Sequence, residues 1–266
     1  MLTVDGLSCG YGGEFFLKDI SFTLGEKEIL GIIGPNGSGK TTLLRALIKA
    51  LRPAGGTIRF EGRDISGLAQ REVARSIAVV GQDTAPYFEM SVEEFVSLGR
   101  IPHQQDFQFF ESRRDEEIVQ GAMRLTDTLR FRERLISRLS QGERQLVVIA
   151  KALAQEPKLL LLDEPIVYLD ISHQVQIMDL VRRLNRREGL SVLVVLHELN
   201  LASEYCDKLI LLNNGMVHAQ GTPQEVLDYR IIEEVYKTTV VVQENPISRK
   251  PYVLIVPEEE NKRRER

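Results

Sequence analysis

Cysteine is almost missing from this chain of 266 residues: Cys9 and Cys206 stand far apart, without metal-ligand spacing. That excludes a disulfide framework and fits a reduced, intracellular setting. Long apolar runs are missing too. The longest, such as 192–196, last a handful of residues, against roughly 20 for a membrane-crossing helix. The opening MLTVDGLSCG has no basic segment leading into an apolar one, so no signal peptide is expected, and any service to a membrane runs through a partner. Positive charge is not in excess: 34 Lys and Arg against 38 Asp and Glu give −4, a poor balance for gripping nucleic acid through its phosphates. What is present is ordinary globular usage, 43% hydrophobic and 27% charged, which excludes a disordered chain, a collagen and a coiled-coil rod. At roughly 150 residues per domain, the length allows just under two.

Short β-branched runs bounded by turn residues predict strands at 2–4, 29–33, 57–60, 77–80, 159–162, 191–196 and 209–212. The runs at 159–162 and 192–196 are apolar at successive positions, which suits strands buried on both faces of a parallel sheet. Helical periodicity lies between them, as at 41–51 and 174–187, and this alternation predicts an α/β fold. Glu61-Gly62-Arg63-Asp64 after 57–60 reads as a hairpin turn, so part of the N-terminal half is expected to be antiparallel. From about 92 to 153 the pattern is helical, without a convincing strand. After Tyr236 come two β-like runs, 238–242 and 250–256, and then the charged EEENKRRER, expected to be disordered at its end.

Gly34-Pro35-Asn36-Gly37-Ser38-Gly39-Lys40-Thr41, followed by Thr42, fits G-x-x-x-x-G-K-[ST] between an apolar strand and a helix. Its glycines let successive N–H groups converge on phosphate oxygens, and the helix N-terminus adds a favourable dipole. Lys40 is suited to the β- and γ-phosphates and the Thr41 hydroxyl to Mg²⁺. The run 159–162 ends in Asp163 and Glu164. Asp163 is suited to holding Mg²⁺ through water and Glu164 to polarising an attacking water. Alone, the pair also fits a solvated acidic turn.

Leu139-Ser140-Gln141-Gly142-Glu143 resembles the signature of ATP-binding cassette (ABC) proteins, and from about residue 2 to 230 the motif order fits that family. The resemblance implies a P-loop NTPase (RecA-like) core with an antiparallel β subdomain and an inserted α-helical subdomain. It puts Tyr11 against adenine, Gln82 in the Q-loop as a catalytic and metal-side glutamine, Asp170 in the D-loop and His197 as the switch histidine. Ser140, Gln141, Gly142 and Glu143 would face the γ-phosphate of an ATP held by a second copy, so a homodimer with composite sites is implied. Outside that order, Tyr11 fits a loop aromatic, Gln82 a surface turn, His197 a structural histidine, and Ser140 with Glu143 an ordinary helix cap. Departures are Gln141 and Glu143 where Gly and Gln are commoner, Leu146 for a frequent arginine, and Ile166-Val167 where the D-loop usually begins with hydroxyl residues.

The segment 92–103 and the strings YLDISHQ, HELNLA and QGTPQEVL resemble cassettes serving iron-siderophore, haem and cobalamin importers. Molybdate and tungstate importers share much of them, and a soluble non-transport cassette is the more distant alternative. Importer membership implies an ATPase peripheral to the cytoplasmic face of the cell membrane. Its partners would be polytopic permease subunits and, indirectly, an extracytoplasmic solute-binding protein, with no nucleic acid. The expected organisation is 1–87 and 157–235 for the ATP-binding core, 88–156 for the helical signature subdomain and 236–266 for a C-terminal extension.

Overall fold

Alternation of apolar and polar side chains shapes the first strands. Both β1 (Leu2–Cys9) and β2 (Leu17–Leu24) bury roughly every second residue, the pattern of a half-covered antiparallel pair. Then come β3 (Ile29–Ile33), buried along its whole length, α1 (Lys40–Leu47), β4 (Gly55–Phe60) and the short β5 (Arg63–Asp64). They are followed by α2 (Gln70–Ser76), β6 (Ile77–Val80), α3 (Val92–Ser97), α4 (Arg113–Leu125) and α5 (Gln141–Ala154). Next are β7 (Leu159–Asp163), α6 (Ile171–Glu188), β8 (Ser191–Val195), α7 (Leu199–Tyr205), β9 (Lys208–Asn213) and β10 (Met216–Gly221). The chain closes with α8 (Pro223–Val226), α9 (Tyr229–Tyr236), β11 (Val240–Glu244) and β12 (Pro251–Ile255). This computed structural model describes residues 1–11, 17–81, 89–104, 112–257 and 259. Gln82 and most of the charged tail therefore lie outside the described residues.

The chain packs as two units. One joins Met1–Ser66 to Leu193–Arg266 and the other is Gly67–Val192. In the first, β1 pairs antiparallel with β2 and β4, and β4 turns into β5 through Glu61 and Gly62. Both turn residues have positive φ, 50° and 77°, as a type I′ hairpin requires. In the same unit β3 runs parallel to β9, pairing Leu30 with Lys208 and Ile33 with Leu211, and β10 returns antiparallel along β9. The strand β2 escapes the sequence reading because its LKDISFTL pattern carries as many exposed as buried positions. The helix expected over 41–51 stops at Leu47, where Lys49 takes a left-handed φ of 60° and Ala50 and Leu51 donate back to the Arg45 carbonyl.

In the second unit β6 and β7 pair in parallel, Ile77 with Leu159 and Val80 with Leu162. Every residue of β7 is buried, as its apolar run predicts. Between these strands the regular structure among the described residues is helical apart from one isolated bridge between Ser91 and Leu135. There α3, α4 and α5 pack together around Arg100, which is 4% exposed. Its guanidinium donates to Asp115 Oδ1 at 2.8 Å, the Ala154 carbonyl at 2.7 Å and Glu156 Oε2 at 2.9 Å. A buried charge so placed is tolerated because it is paired and hydrogen-bonded. Among the described residues no helix is long and apolar enough to cross a membrane, and both cysteines are free and buried.

Candidate functional site

In the first unit the loop after β3 is built for close backbone approach. Gly34, Gly37 and Gly39 have φ of 147°, 77° and 104°. A Cβ on Gly34 would stand 2.2 Å from the Leu212 carbonyl oxygen, so a side chain there would push the loop off β9. Lys40 opens α1 and is 5% exposed, with Nζ donating to the carbonyls of Gly34 and Pro35, both at 2.9 Å. Thr41 is half-buried and Thr42 buried, while Asn36 and Gly37 face outward. Ser38 is 1% exposed, and its Oγ has no hydrogen-bond partner among the described residues. A hydroxyl enclosed without a partner is costly unless a ligand supplies one. The loop therefore fits the oxygens of a phosphate chain. The Gly37 Cα has no neighbour within 4 Å of where a side chain would start, which leaves the outer rim open.

Tyr11 lies just past β1, 43% exposed, and its hydroxyl accepts from Arg45 Nη1 of α1 at 2.9 Å. His197 is half-buried. It follows Leu196, whose N–H donates to the Ile32 carbonyl at 3.0 Å, and precedes Glu198, the residue just before α7. His197 and the phosphate loop thus leave neighbouring backbone at the same end of β3. Sequence reasoning missed Tyr236, the last residue of α9. Its hydroxyl is buried, and burial pushes the phenol up to about 12, opposed in part by the backbone of Gly34. No local signal marks it, since the contact joins residues from opposite ends of the chain.

In the second unit Asp163 is the last residue of β7 and is 8% exposed. Glu164 follows with φ 53°, a left-handed conformation that costs a non-glycine residue of order 1–2 kcal/mol. That turn breaks the strand's alternation of faces, which otherwise sends adjacent carboxylates to opposite sides. Its carbonyl accepts from Val167 N at 3.3 Å, continuing the turn. Ile166, where a hydroxyl residue is usual, is 4% exposed: the apolar replacement packs inward. Leu146 likewise is 3% exposed, which explains an aliphatic side chain at that place.

Asp170 caps α6. Its Oδ1 accepts from the backbone N of His173 and from His173 Nδ1, both at 2.9 Å, and the backbone bond foremost holds the carboxyl below its ordinary range. The signature forms a complete capping box at α5: Ser140 Oγ accepts from Glu143 N at 3.3 Å, and Glu143 Oε2 accepts from Ser140 N at 2.8 Å. Glu143 is held low first by that backbone bond. Ser140 and Gln141 stay exposed, so the Ser140 hydroxyl proton can be donated outward. Gly142 is buried, and a Cβ there would meet the His173 ring at 2.1 Å. The D-loop aspartate and the signature glycine are therefore joined by one imidazole, a link that the sequence motifs do not reveal.

The profile of the ABC transporter family matches residues 17–167. A hemin import ATP-binding protein of Pseudomonas entomophila is 42% identical over 259 residues, covering 96% of this chain and 99% of the relative. The ferric enterobactin transport ATP-binding protein of Escherichia coli is 38% identical over 248 residues, 93% of this chain and 91% of the relative. An ABC transporter ATP-binding protein of Bacillus subtilis, YvrA, is 39% identical over 264 residues, 99% of this chain, which spans 60% of that relative's length. Among solved structures, a transporter assigned to the metal-chelate type and captured facing inward superposes with a TM-score of 0.85 at 27% identity, covering 97% of this chain and 98% of the other. The dimeric structure of the ABC transporter cassette MJ0796 gives a TM-score of 0.73 at 27% identity, covering 84% and 99%. Matched by the family profile over more than half its length, and by near-full-length relatives well above 30% identity, the chain belongs to the ABC transporter family as one of its ATP-binding, ATP-hydrolysing subunits.

Proposed function

We propose that two copies of this chain close on two ATP molecules and drive import of an iron chelate, haem or cobalamin-type solute through polytopic permease subunits. The chain would sit at the cytoplasmic face of the membrane and be supplied indirectly by an extracytoplasmic solute-binding protein. The observation that carries this reading is likeness over nearly the whole length of both chains to relatives named for hemin and ferric enterobactin transport. The inward-facing metal-chelate-type transporter supports the same solute class.

In this reading the loop 34–41 with Thr42 holds the triphosphate, and Lys40 neutralises its β- and γ-oxygens. Tyr11 contacts the adenine. The capped α5 terminus of the opposite copy presents the Ser140 hydroxyl and the backbone around Gln141, Gly142 and Glu143 to the γ-phosphate, where a helix N-terminus favours negative charge. Asp170 holds the signature glycine in register through His173. Thr41, Gln82 and Asp163 would hold Mg²⁺, a donor set of hydroxyl, amide and carboxylate oxygens that suits a hard cation retaining water and phosphate ligands. When bound, the ion supplies charge neutralisation at the β- and γ-oxygens. Glu164 orients and deprotonates the attacking water, and His197 contacts the γ-phosphate. Closure is driven by ATP's higher affinity for the closed pair, and hydrolysis removes that difference.

Glu164→Gln tests the reading. A positioned base contributes about 10²–10⁴ in rate, so turnover falls by at least a hundredfold while ATP binding persists, and light scattering shows a dimer on ATP addition. Wild-type turnover would remove Glu164 from the mechanism, and a variant that stays monomeric with bound ATP would remove the composite site. Solute-stimulated ATPase of the complex reconstituted with its permease tests the solute class.

A further inference from the structure

None of the motifs above gives the chain beyond Tyr236 a task. It returns as the hairpin β11–β12, which packs β12 against α7, the helix that begins two residues after His197. The attachment is specific. Asn200 Oδ1 accepts from Val253 N at 2.7 Å and its Nδ2 donates to Val253 O at 3.1 Å, so one carboxamide pairs with β12 as a neighbouring strand would. One turn further along, Ser203 Oγ donates to the Pro251 carbonyl at 2.7 Å. Lys250 Nζ donates to the carbonyls of Glu204 at 2.7 Å and Cys206 at 3.4 Å, at the end of α7 where helical carbonyls lack partners. Positions 200, 203 and 204 fall on one helix face, and that face is given to the hairpin. Val253 and Val240, both buried, are the hairpin's apolar anchors.

A helix of seven residues does not hold itself in water, and Glu198 gives α7 no side-chain cap. Its setting is therefore a matter of what it packs against. On the other side of His197, Leu196 is fixed to β3 by its hydrogen bond to Ile32. The histidine sits in a short link between one element anchored to the sheet and another held by the hairpin. Moving α7 by a fraction of an ångström moves the His197 Cα, whereas the phosphate loop has its own tie in Gly215, whose N–H donates to the Ser38 carbonyl at 3.2 Å.

We propose that the C-terminal hairpin is a brace that sets His197 at the γ-phosphate, with Asn200 and Ser203 as positioning residues acting through α7. This rests on His197 being a phosphate-contacting residue. The test is ATPase kinetics and thermal melting of the full chain carrying Asn200→Leu, Ser203→Ala or Arg249→Ala, the first two also combined with His197→Ala. Asn200→Leu is expected to lower kcat about tenfold with KM for ATP within twofold. Ser203→Ala should lower kcat about threefold. Arg249→Ala, which breaks only an exposed ion pair with Glu244 at the hairpin turn, should change neither. In the His197→Ala background, Asn200→Leu and Ser203→Ala should add less than a twofold loss, because residues acting through one group are not additive. Unchanged kcat in folded Asn200→Leu and Ser203→Ala, or losses that multiply with His197→Ala, would overturn the brace while leaving His197 in place. Wild-type kcat in His197→Ala alone would instead remove the histidine, and with it the target of the brace.

Discussion

Two residues, Lys40 and Gly142, set the local geometry of the phosphate loop and of the start of α5. Lys40 is buried yet charged, compensated within the loop by the Gly34 and Pro35 carbonyls. Those contacts hold the ammonium in the loop before any phosphate arrives, so its replacement removes a preorganised cation. Lys40→Ala is expected to weaken ATP binding at least tenfold in calorimetric titration, and equal affinity would contradict the phosphate loop. Gly142 is fixed by a different constraint, the His173 ring against its Cα. In Gly142→Ala the added methyl forces either the ring or the start of α5 to shift, an overpacking that costs roughly 1–3 kcal/mol. The double variant with His173→Ala should recover most of that loss in a thermal melt. Failure to recover would mean that the glycine serves the backbone alone. The glycine itself was legible in the signature, but its reason was not, because the ring reaches it from another helix.

Single elements gain their order from pairings that no periodicity announces. The helices α3, α4 and α5 are readable from their spacing of apolar residues and from Ser91, Ser112 and Ser140, each an N-cap with an acidic residue three positions on. What locks α4 to its neighbours is the Arg100–Asp115 pair, with Arg100 4% and the Asp115 side chain 11% exposed. Asp115→Asn should lower stability by roughly 3 kcal/mol in urea unfolding, the low end for breaking a buried pair, since Arg100 keeps Ala154 and Glu156. A loss under about 0.5 kcal/mol would mean that Arg100 is satisfied without it. The hairpin β11–β12 shows the same division. Its two β-like runs were visible in the sequence, whereas the helix α7 on which β12 would lie was not.

Across the unit Gly67–Val192, the carboxylates of Glu94, Asp115, Glu143 and Asp170 are all held below their ordinary range. For Asp115 burial pulls upward and is outweighed by the Ser112 hydroxyl, Arg100 and the Ser112 N–H. A group whose folded pKa is depressed contributes stability that is complete above its unfolded value, near pH 4, and that disappears as pH falls through the folded value. The melting temperature should therefore be level from about pH 7 to 5 and drop below about pH 4. Because Glu94, Glu143 and Asp170 are all more exposed than Asp115 and better screened, Asp115 should dominate that drop, and Asp115→Asn should flatten it. An equally steep fall in the variant would place the acid sensitivity elsewhere.

The amino-acid sequence by itself determined the chemistry that is local along the chain. The five residues of β3 and the four leucines of β7 are buried because they are apolar in unbroken succession, and the glycine-rich loop after the first is announced by its own residues. The same holds for the capping boxes, whose partners are three residues apart. Only the folded chain decided that the left-handed turn at Glu164 would free it from the strand's alternation, that Ile166 would turn inward, that His173 would lie on Gly142, and that Asn200 would take up the backbone of a residue 53 positions away. The physical reason is one of range. Burial pattern and turn chemistry are sums over adjacent residues, while a contact between distant side chains exists only after the intervening chain has closed its loop, and nothing in either residue alone says which partner it will meet.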